Sequence, residues 1–399
     1  MKRGKESQEL RAKSQELENS PSTINHQPST FFYLKELKAI KRANRHRKRE
    51  VYDENLKDFA SNDYLGLSSK KKLFKKACKR VKRYKFHSPK ASTLVNGYHP
   101  IHKEFEEYIA KLNGFDKALC VGSGFLANLS IFEALPRRGD LLLFDEEFHA
   151  SGLLASTLNE AKVIKFLHND SKDLEKKIKE YKSTQNGRVI IGVEGIYSMS
   201  GDVINPEIFS IADSYNALLA VDEAHSVGVL GKNLLGVFEY FNIKPKANHI
   251  KMGTLGKALG SYGAYILSSN EIYDFLCNRA KAVIYATAPS VFDIALAYEG
   301  FLYIQKNIKK YKKSIKNRKQ EIKKVLNKKI KSLILTIEVE NSSFALEMKE
   351  KLLQNGFLVG AIRPPTVKKP ILRIIPRVGE KGFVKLLKEL EAFGLGVKE

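Results

Sequence analysis

The chain has 399 residues, of which 43% are hydrophobic, enough for one large domain with a substantial core and smaller terminal parts. That composition, with 26 glycines, excludes collagen-like, coiled-coil and wholly disordered classes. A formal charge of +25 leaves nucleic acid, anionic membrane and polyanionic small molecules as conceivable partners, although the lysines scatter along the chain as they would on solvated helix faces.

Residues 1–30 are polar and cannot bury enough apolar area to offset their chain entropy, so a flexible tail is expected there. This stretch has no apolar segment of a signal peptide, and residues 1–20 contain four glutamates. No apolar run approaches the roughly 20 residues of a membrane span, and Cys78, Cys120 and Cys277 have no metal-ligand spacing. The expectation is a cytoplasmic protein with no membrane partner and no metal.

Residues 31–60 read as an N-terminal segment, helical from 31 to 49 and basic on one side, then strand-like at KDFA. A large domain is expected over 61–288. Between about 115 and 270, the short apolar runs KALCV, DLLLF, KVIKF, RVIIGVEG, ALLAVDEAH, HIKMGTLG and GAYIL alternate with helical stretches. Runs that are apolar on both faces predict a mostly parallel central sheet flanked by helices, an α/β fold. Residues 289–399 change pattern, with a lysine-rich helical stretch at 290–328, then ILTIEVE, a helix over 342–355, and ILRII. They predict a small α+β C-terminal domain.

Several of the apolar runs end in polar residues, and the C-terminal ends of strands are where an open α/β sheet binds ligands. At Gly253-Thr254-Leu255-Gly256-Lys257-Ala258-Leu259-Gly260, a single lysine lies in a turn too glycine-rich for a regular helix. A lysine desolvated there can attack an aldehyde and form a Schiff base, although a surface Gly-Lys turn is also common. Asp222 ends the run LLAV, where a buried carboxylate needs a partner such as a protonated pyridine nitrogen; the bland alternative is an ordinary strand-end aspartate. Gly122-Ser123-Gly124-Phe125 lies between a strand and a helix beginning near Leu126, and either binds phosphate on its exposed amides or simply turns the chain. His149, in Asp145-Glu146-Glu147-Phe148-His149, could stack on a flat ring or be structural. The four together describe a phosphate site, a stacking ring, an acid and a lysine.

The segments SNDYLGLS, NGYHPIHKEFE, SGFLAN, FDEEFHAS, EGIYSMSGD, AVDEAHSVGVLG, GTLGKALG and AIRPPTV occur in this order. They resemble the α-oxoamine synthase family of pyridoxal-phosphate-dependent transferases of fold type I, from about residue 35 onward. The resemblance implies pyridoxal 5'-phosphate as cofactor, carried on Lys257, with Asp222 on the pyridine nitrogen and His149 stacked on the ring. It also implies cofactor contacts from Gly124, Phe125, Glu194, Ser198, His225 and Thr254, and from Thr287 of a second subunit in a homodimer. Arg47, Asn62, Arg363, Thr366 and Arg373 are the substrate-binding candidates, with Arg373 on the amino-acid carboxylate. Arg47 is chosen from the cluster Arg42, Arg45, Arg47, Lys48 and Arg49 for a distal carboxylate of the acyl group.

Family members condense glycine, alanine or serine with different acyl thioesters. The segment Ala361-Ile362-Arg363-Pro364-Pro365-Thr366-Val367 is similar to members that join L-alanine to a pimeloyl thioester in biotin biosynthesis; members using glycine usually carry a Tyr-Pro pair there. The chain departs from the family pattern at His87-Ser88-Pro89-Lys90-Ala91-Ser92, where a glycine-rich stretch is usual, and in a Thr366-to-Arg373 spacing about two residues shorter. A non-catalytic anion- or nucleic-acid-binding protein on the same fold is the rival reading from another class, and the filled catalytic positions argue against it.

Overall fold

The computed structural model describes residues 30–395, so the expected tail lies outside the described residues except for its last position. The chain divides into two compact units, Met1–Tyr52 and Asp53–Glu399. In the first, a helix spans Phe31–Arg42 and stops seven residues before the expected 49. Ala43 leaves the helical conformation and Asn44 takes the left-handed one (φ 53°), a local C-terminal stop that basic periodicity does not reveal. Arg45, Arg47, Lys48 and Arg49 therefore follow the helix and are not part of it.

The second unit opens with a short strand, β1 (Lys57–Asp58). Its main sheet is built from β2 (Lys117–Val121), β3 (Leu141–Asp145), β4 (Lys162–Phe166), β5 (Val189–Glu194), β6 (Leu218–Asp222), β7 (His249–Thr254) and β8 (Ala264–Ser268). The order across the sheet is β2-β8-β7-β6-β5-β3-β4. β4, β3, β5, β6 and β7 run parallel, and β8 is antiparallel to both of its neighbours. The α/β expectation is borne out, and each apolar run lies on one strand.

Both faces of the inner strands are buried, which is why those strands are mostly apolar, whereas the edge strand β4 is largely exposed. Successive side chains alternate between two cores: Leu141, Leu143, Ile191, Val193, Leu219 and Val221 enter one, while Leu142, Phe144, Ile190 and Ala220 enter the other. Helices Pro100–Asn113 and Val291–Lys306 cover the first face, and Gly124–Ala134 covers the second. The lysine-rich stretch is two helices, Val291–Lys306 and Ile308–Leu326, broken at Asn307 (φ −120°, ψ 21°).

A smaller antiparallel sheet follows, with β11 (Gly360–Ile362), β12 (Ile371–Ile374) and β9 (Leu335–Glu338) in that order. It packs with helices Ser342–Gln354 and Phe383–Ala392 around a third core of Leu335, Met348, Leu352, Leu372, Leu386 and Leu387. β1 pairs in parallel with β10 (Phe357–Leu358), and Phe59 joins this core. Further backbone bonds, Ile375 N–H to Phe59 O (2.8 Å) and Val378 N–H to Tyr64 O (2.8 Å), tie residues 59–64 to the end of β12. No helix among the described residues is long and apolar enough to cross a membrane.

Candidate active site

Asp145, Glu194, Asp222 and Thr254 close the parallel strands β3, β5, β6 and β7, so their side chains gather at one end of the sheet. Lys257 lies in the turn after β7, closed by Leu255 N–H to Gly263 O (2.8 Å) and Gly260 N–H to Lys257 O (3.0 Å). Gly260 is left-handed (φ 61°), and a Cβ there would stand 2.5 Å from the Ser68 nitrogen, so the lysine turn rests on the backbone of residues 67–68. Lys257 Nζ is 2.7 Å from His225 Nε2, and His225 Nδ1 is 2.6 Å from the Tyr64 hydroxyl. Burial lowers the Lys257 amine from the usual 10.5 to about 8, opposed by the charges of Asp222 and Glu194 and aided by Arg373. Burial, with Lys257, Arg373 and His149 adding to it, keeps His225 neutral, well below its usual 6.5.

Asp222 accepts hydrogen bonds on both carboxylate oxygens: Oδ1 from the Ala224 amide (2.9 Å) and Oδ2 from Asn128 Nδ2 (2.8 Å). Because a carboxylate only accepts, the Asn128 group facing it is the NH2, whose second hydrogen goes to Ser151 Oγ (2.9 Å). Ser151 Oγ is thereby free to donate to His149 Nδ1 (2.7 Å), which also accepts the Ser151 amide (3.3 Å). The neutral His149 ring therefore carries its proton on Nε2. Partial burial holds its pKa below the usual value against the pull of Asp222.

Glu194 pairs in register with Asp222 across β5 and β6. Its Oε2 accepts the Ser198 amide (3.0 Å), while Oε1 is buried with no hydrogen-bond partner. Burial and the neighbouring Asp222 raise its pKa well above the carboxylate range. Arg373, buried on β12, donates from Nε to Ser198 O (2.7 Å) and from Nη1 to Asn62 Oδ1 (3.0 Å). Its Nη2 is a second buried polar atom without a partner. Native proteins rarely leave such atoms unpaired, so the two mark where a polar ligand completes the site.

The helix beginning at Gly124, two residues before the expected start, is capped by Ser123 Oγ accepting from Leu126 N–H (3.2 Å). A Cβ on Gly124 would lie 3.9 Å from Thr254 Cβ, so this helix N-terminus adjoins the end of β7. Phe125 is half-exposed and Thr287 exposed. Arg363 and Thr366 occupy the turn between β11 and β12, with Thr366 N–H to Arg363 O at 3.1 Å. Arg47 belongs to the separate N-terminal unit.

Lys257, His225, Asp222, Glu194, Ser198, Asn62 and Arg373 are thus joined by hydrogen bonds or by mutual electrostatic influence, and His149 is joined through Asn128 and Ser151. Sequence reading passed over Tyr64, Asn128 and Ser151. All three lie inside the quoted motifs, but a tyrosine, an asparagine and a serine in such stretches carry no chemical signal until folding shows their partners.

The aminotransferase class I and II family model matches residues 54–387. An 8-amino-7-oxononanoate synthase of Helicobacter pylori (strain ATCC 700392 / 26695) is 46% identical over 343 residues, covering 86% of this chain and 91% of that protein. A putative 8-amino-7-oxononanoate synthase of Aquifex aeolicus (strain VF5) is 37% identical over 348 residues, 85% of this chain and 91% of that protein. The solved structure of 8-amino-7-oxononanoate synthase from Francisella tularensis superposes with a TM-score of 0.68 at 27% identity, covering 86% of this chain and 98% of that one. Sphingomonas wittichii serine palmitoyltransferase reaches 0.80 at 22% identity over 92% and 97% of the two chains, a likeness of fold. With its strand-end acids, its lysine turn and these relatives, the chain belongs to the aminotransferase class I and II family, in its α-oxoamine synthase branch.

Proposed function

We propose that the protein is a pyridoxal-phosphate-dependent acyltransferase that condenses L-alanine with a pimeloyl thioester, releasing carbon dioxide and the free thiol, to give 8-amino-7-oxononanoate for biotin biosynthesis. The observation that carries the chemistry is Lys257, its amine lowered to about 8 beside Asp222. The donor and the amino acid rest on the relatives named 8-amino-7-oxononanoate synthase. The side chains fit the cofactor: an amine, a doubly anchored carboxylate, a capped helix N-terminus and two unpaired buried polar atoms converge. Pyridoxal phosphate, when bound, supplies an electron sink for the pair left at the substrate Cα.

The chain's own residues do the rest. Lys257 would hold the cofactor through Nζ, and the same amine, its pKa lowered to about 8, would take the Cα proton near neutral pH. Asp222, fixed by Ala224 and Asn128, would hold a proton on the pyridine nitrogen. His149, with its proton on Nε2, would stack on the cofactor ring and present Nε2–H to the thioester oxygen. Gly124 and Phe125 offer amides to the phosphate, joined by Thr254 and by Thr287 of a second copy. Arg373 Nη2 and Asn62 would receive the amino-acid carboxylate, with Ser198 bonded to Arg373 and Glu194 bonded to Ser198 beside them.

The test is turnover with pimeloyl, acetyl and long-chain acyl thioesters, each with L-alanine, glycine and L-serine. Preference for pimeloyl and alanine is expected. A preference for acetyl thioester and glycine, or for a long-chain donor and serine, would replace this reading with another branch of the family. Borohydride reduction of the loaded protein and peptide mapping should mark Lys257.

A further inference from the structure

Tyr64 stands behind the histidine that meets the lysine. It is fully buried, with its hydroxyl 2.6 Å from His225 Nδ1 and 3.4 Å from Asn62 Oδ1. Asn62 Oδ1 is an acceptor, because Arg373 donates to it. Among the described residues, the hydrogen bonds at the His225 ring nitrogens come from Lys257 on one side and Tyr64 on the other. Both of the outer two can donate or accept, so the ring's direction is set by whichever arrangement satisfies all three groups.

We propose that Tyr64 is a positioning residue that decides which ring nitrogen of His225 carries the proton, and so whether His225 receives a hydrogen bond from Lys257 or gives one to it. The proposal rests on the reading of Lys257 as the cofactor-carrying lysine. With Lys257 protonated, the ammonium donates to Nε2, Nδ1–H donates to the Tyr64 oxygen, and the hydroxyl turns to Asn62. With Lys257 neutral, the Tyr64 hydroxyl donates to Nδ1, and Nε2–H donates to the amine lone pair. Between the two, Nε2 gains the proton Lys257 gives up and Nδ1 releases its own to solvent, one proton in balance.

The ring and the hydroxyl keep one proton each, because His225 is held neutral and burial, helped by Glu194, pushes Tyr64 up to about 12 against the pull of the neighbouring Arg373. Lys257 is therefore the member of the chain that titrates. The other charges facing it act through space: Asp222 and Glu194 favour the ammonium, Arg373 opposes it, and His149 is in turn lowered by it. Tyr64 acts differently, by giving Nδ1–H an acceptor in a buried place. Without the hydroxyl both arrangements leave Nδ1 unpaired, but the one that receives the ammonium strands a buried N–H donor, which costs more than the bare lone pair left by the other, so the ammonium is disfavoured.

The experiment reads the amine itself. In the full chain freed of cofactor, the rate of acetylation at Lys257 by acetic anhydride is followed against pH by peptide mass spectrometry. Wild type should show a midpoint at about 8, and Tyr64→Phe a midpoint roughly one unit lower. Tyr265→Phe removes another fully buried hydroxyl, one with no hydrogen-bond partner, and should leave the midpoint where it was. An unshifted midpoint in folded Tyr64→Phe overturns the proposal, since a hydroxyl that merely fills space would lower stability alone. Should that variant not fold, ring-nitrogen NMR of wild type labelled with 15N-histidine decides, with the His225 signal assigned by its loss in His225→Gln. A switch from Nδ1–H to Nε2–H across the lysine titration supports the proposal, and a single tautomer throughout overturns it. Borohydride marking of a lysine other than Lys257 would instead sink the cofactor assignment and leave the labelling result standing.

Discussion

Lys257, Asp222 and His149 are legible as candidates because each stands at or just past a strand end inside a motif whose residue type already implies chemistry, whereas His225 comes only with the family resemblance. Asn128 and Ser151 are not legible, since they act by aiming another side chain, and only folding shows that one NH2 group bridges Asp222 and Ser151. Arg373 was legible as a candidate, yet its spacing from Thr366 is short; burial on β12 and the bonds to Asn62 and Ser198 bring it to the site. Asp222→Asn should lower turnover by orders of magnitude more than it lowers cofactor affinity, because a neutral amide cannot keep the ring nitrogen protonated; steady-state kinetics beside a cofactor titration measures both. Ser151→Ala removes the donor to His149 Nδ1, and a buried or half-buried bond of this kind contributes about 1 kcal/mol, so a severalfold loss in kcat/KM with retained cofactor is expected. Lys257 also links the site to stability. Its folded pKa lies below its unfolded one, so between about 8 and 10.5 the unfolded chain binds more protons, and stability rises with pH through that window. In the cofactor-free protein, denaturant midpoints measured across this range should show a rise that Lys257→Met abolishes.

At the scale of elements, the apolar runs predicted the strands well because a doubly covered strand must be apolar on both faces, whereas helix ends depended on single residues such as Asn44 and Asn307 that periodicity does not weigh. The loop from β6 to the helix Val237–Tyr240 carries His225, and a fully buried ion pair holds it. Glu223 accepts the Val237 amide (2.7 Å), and its Oε1 lies 3.4 Å from Lys251 Nζ on β7, which also donates to Asn113 Oδ1 (2.8 Å). Gly236 is left-handed (φ 106°) and leaves room for that carboxylate, since a Cβ there would fall 1.8 Å from Glu223 Oε2. Glu223→Gln strands the Lys251 charge in the core and should destabilise the protein by about 3 to 5 kcal/mol, seen as a lower urea midpoint. Glu223→Gln with Lys251→Met should recover much of the loss.

For the whole molecule, the proposed homodimer predicts that activity falls together with the dimer fraction on dilution, followed by sedimentation and assay at matched concentrations; a fully active monomer would overturn it. The strand order of the main sheet bears on how the chain is made. β2 is the first of its strands to be synthesised, yet its neighbour is β8, with residues 122–263 between them. At ribosomal rates of about 5 to 20 residues per second, the β2 edge waits on the order of 10 to 30 s for its partner. Throughout that interval Ala118, Leu119, Cys120 and Val121, all buried in the finished protein, have no strand to pair with. Nascent chains arrested before residue 264 should therefore stay sensitive to protease near β2 and bind hydrophobic-segment chaperones, and chains arrested some 40 residues beyond β8, clear of the exit tunnel, should lose both properties.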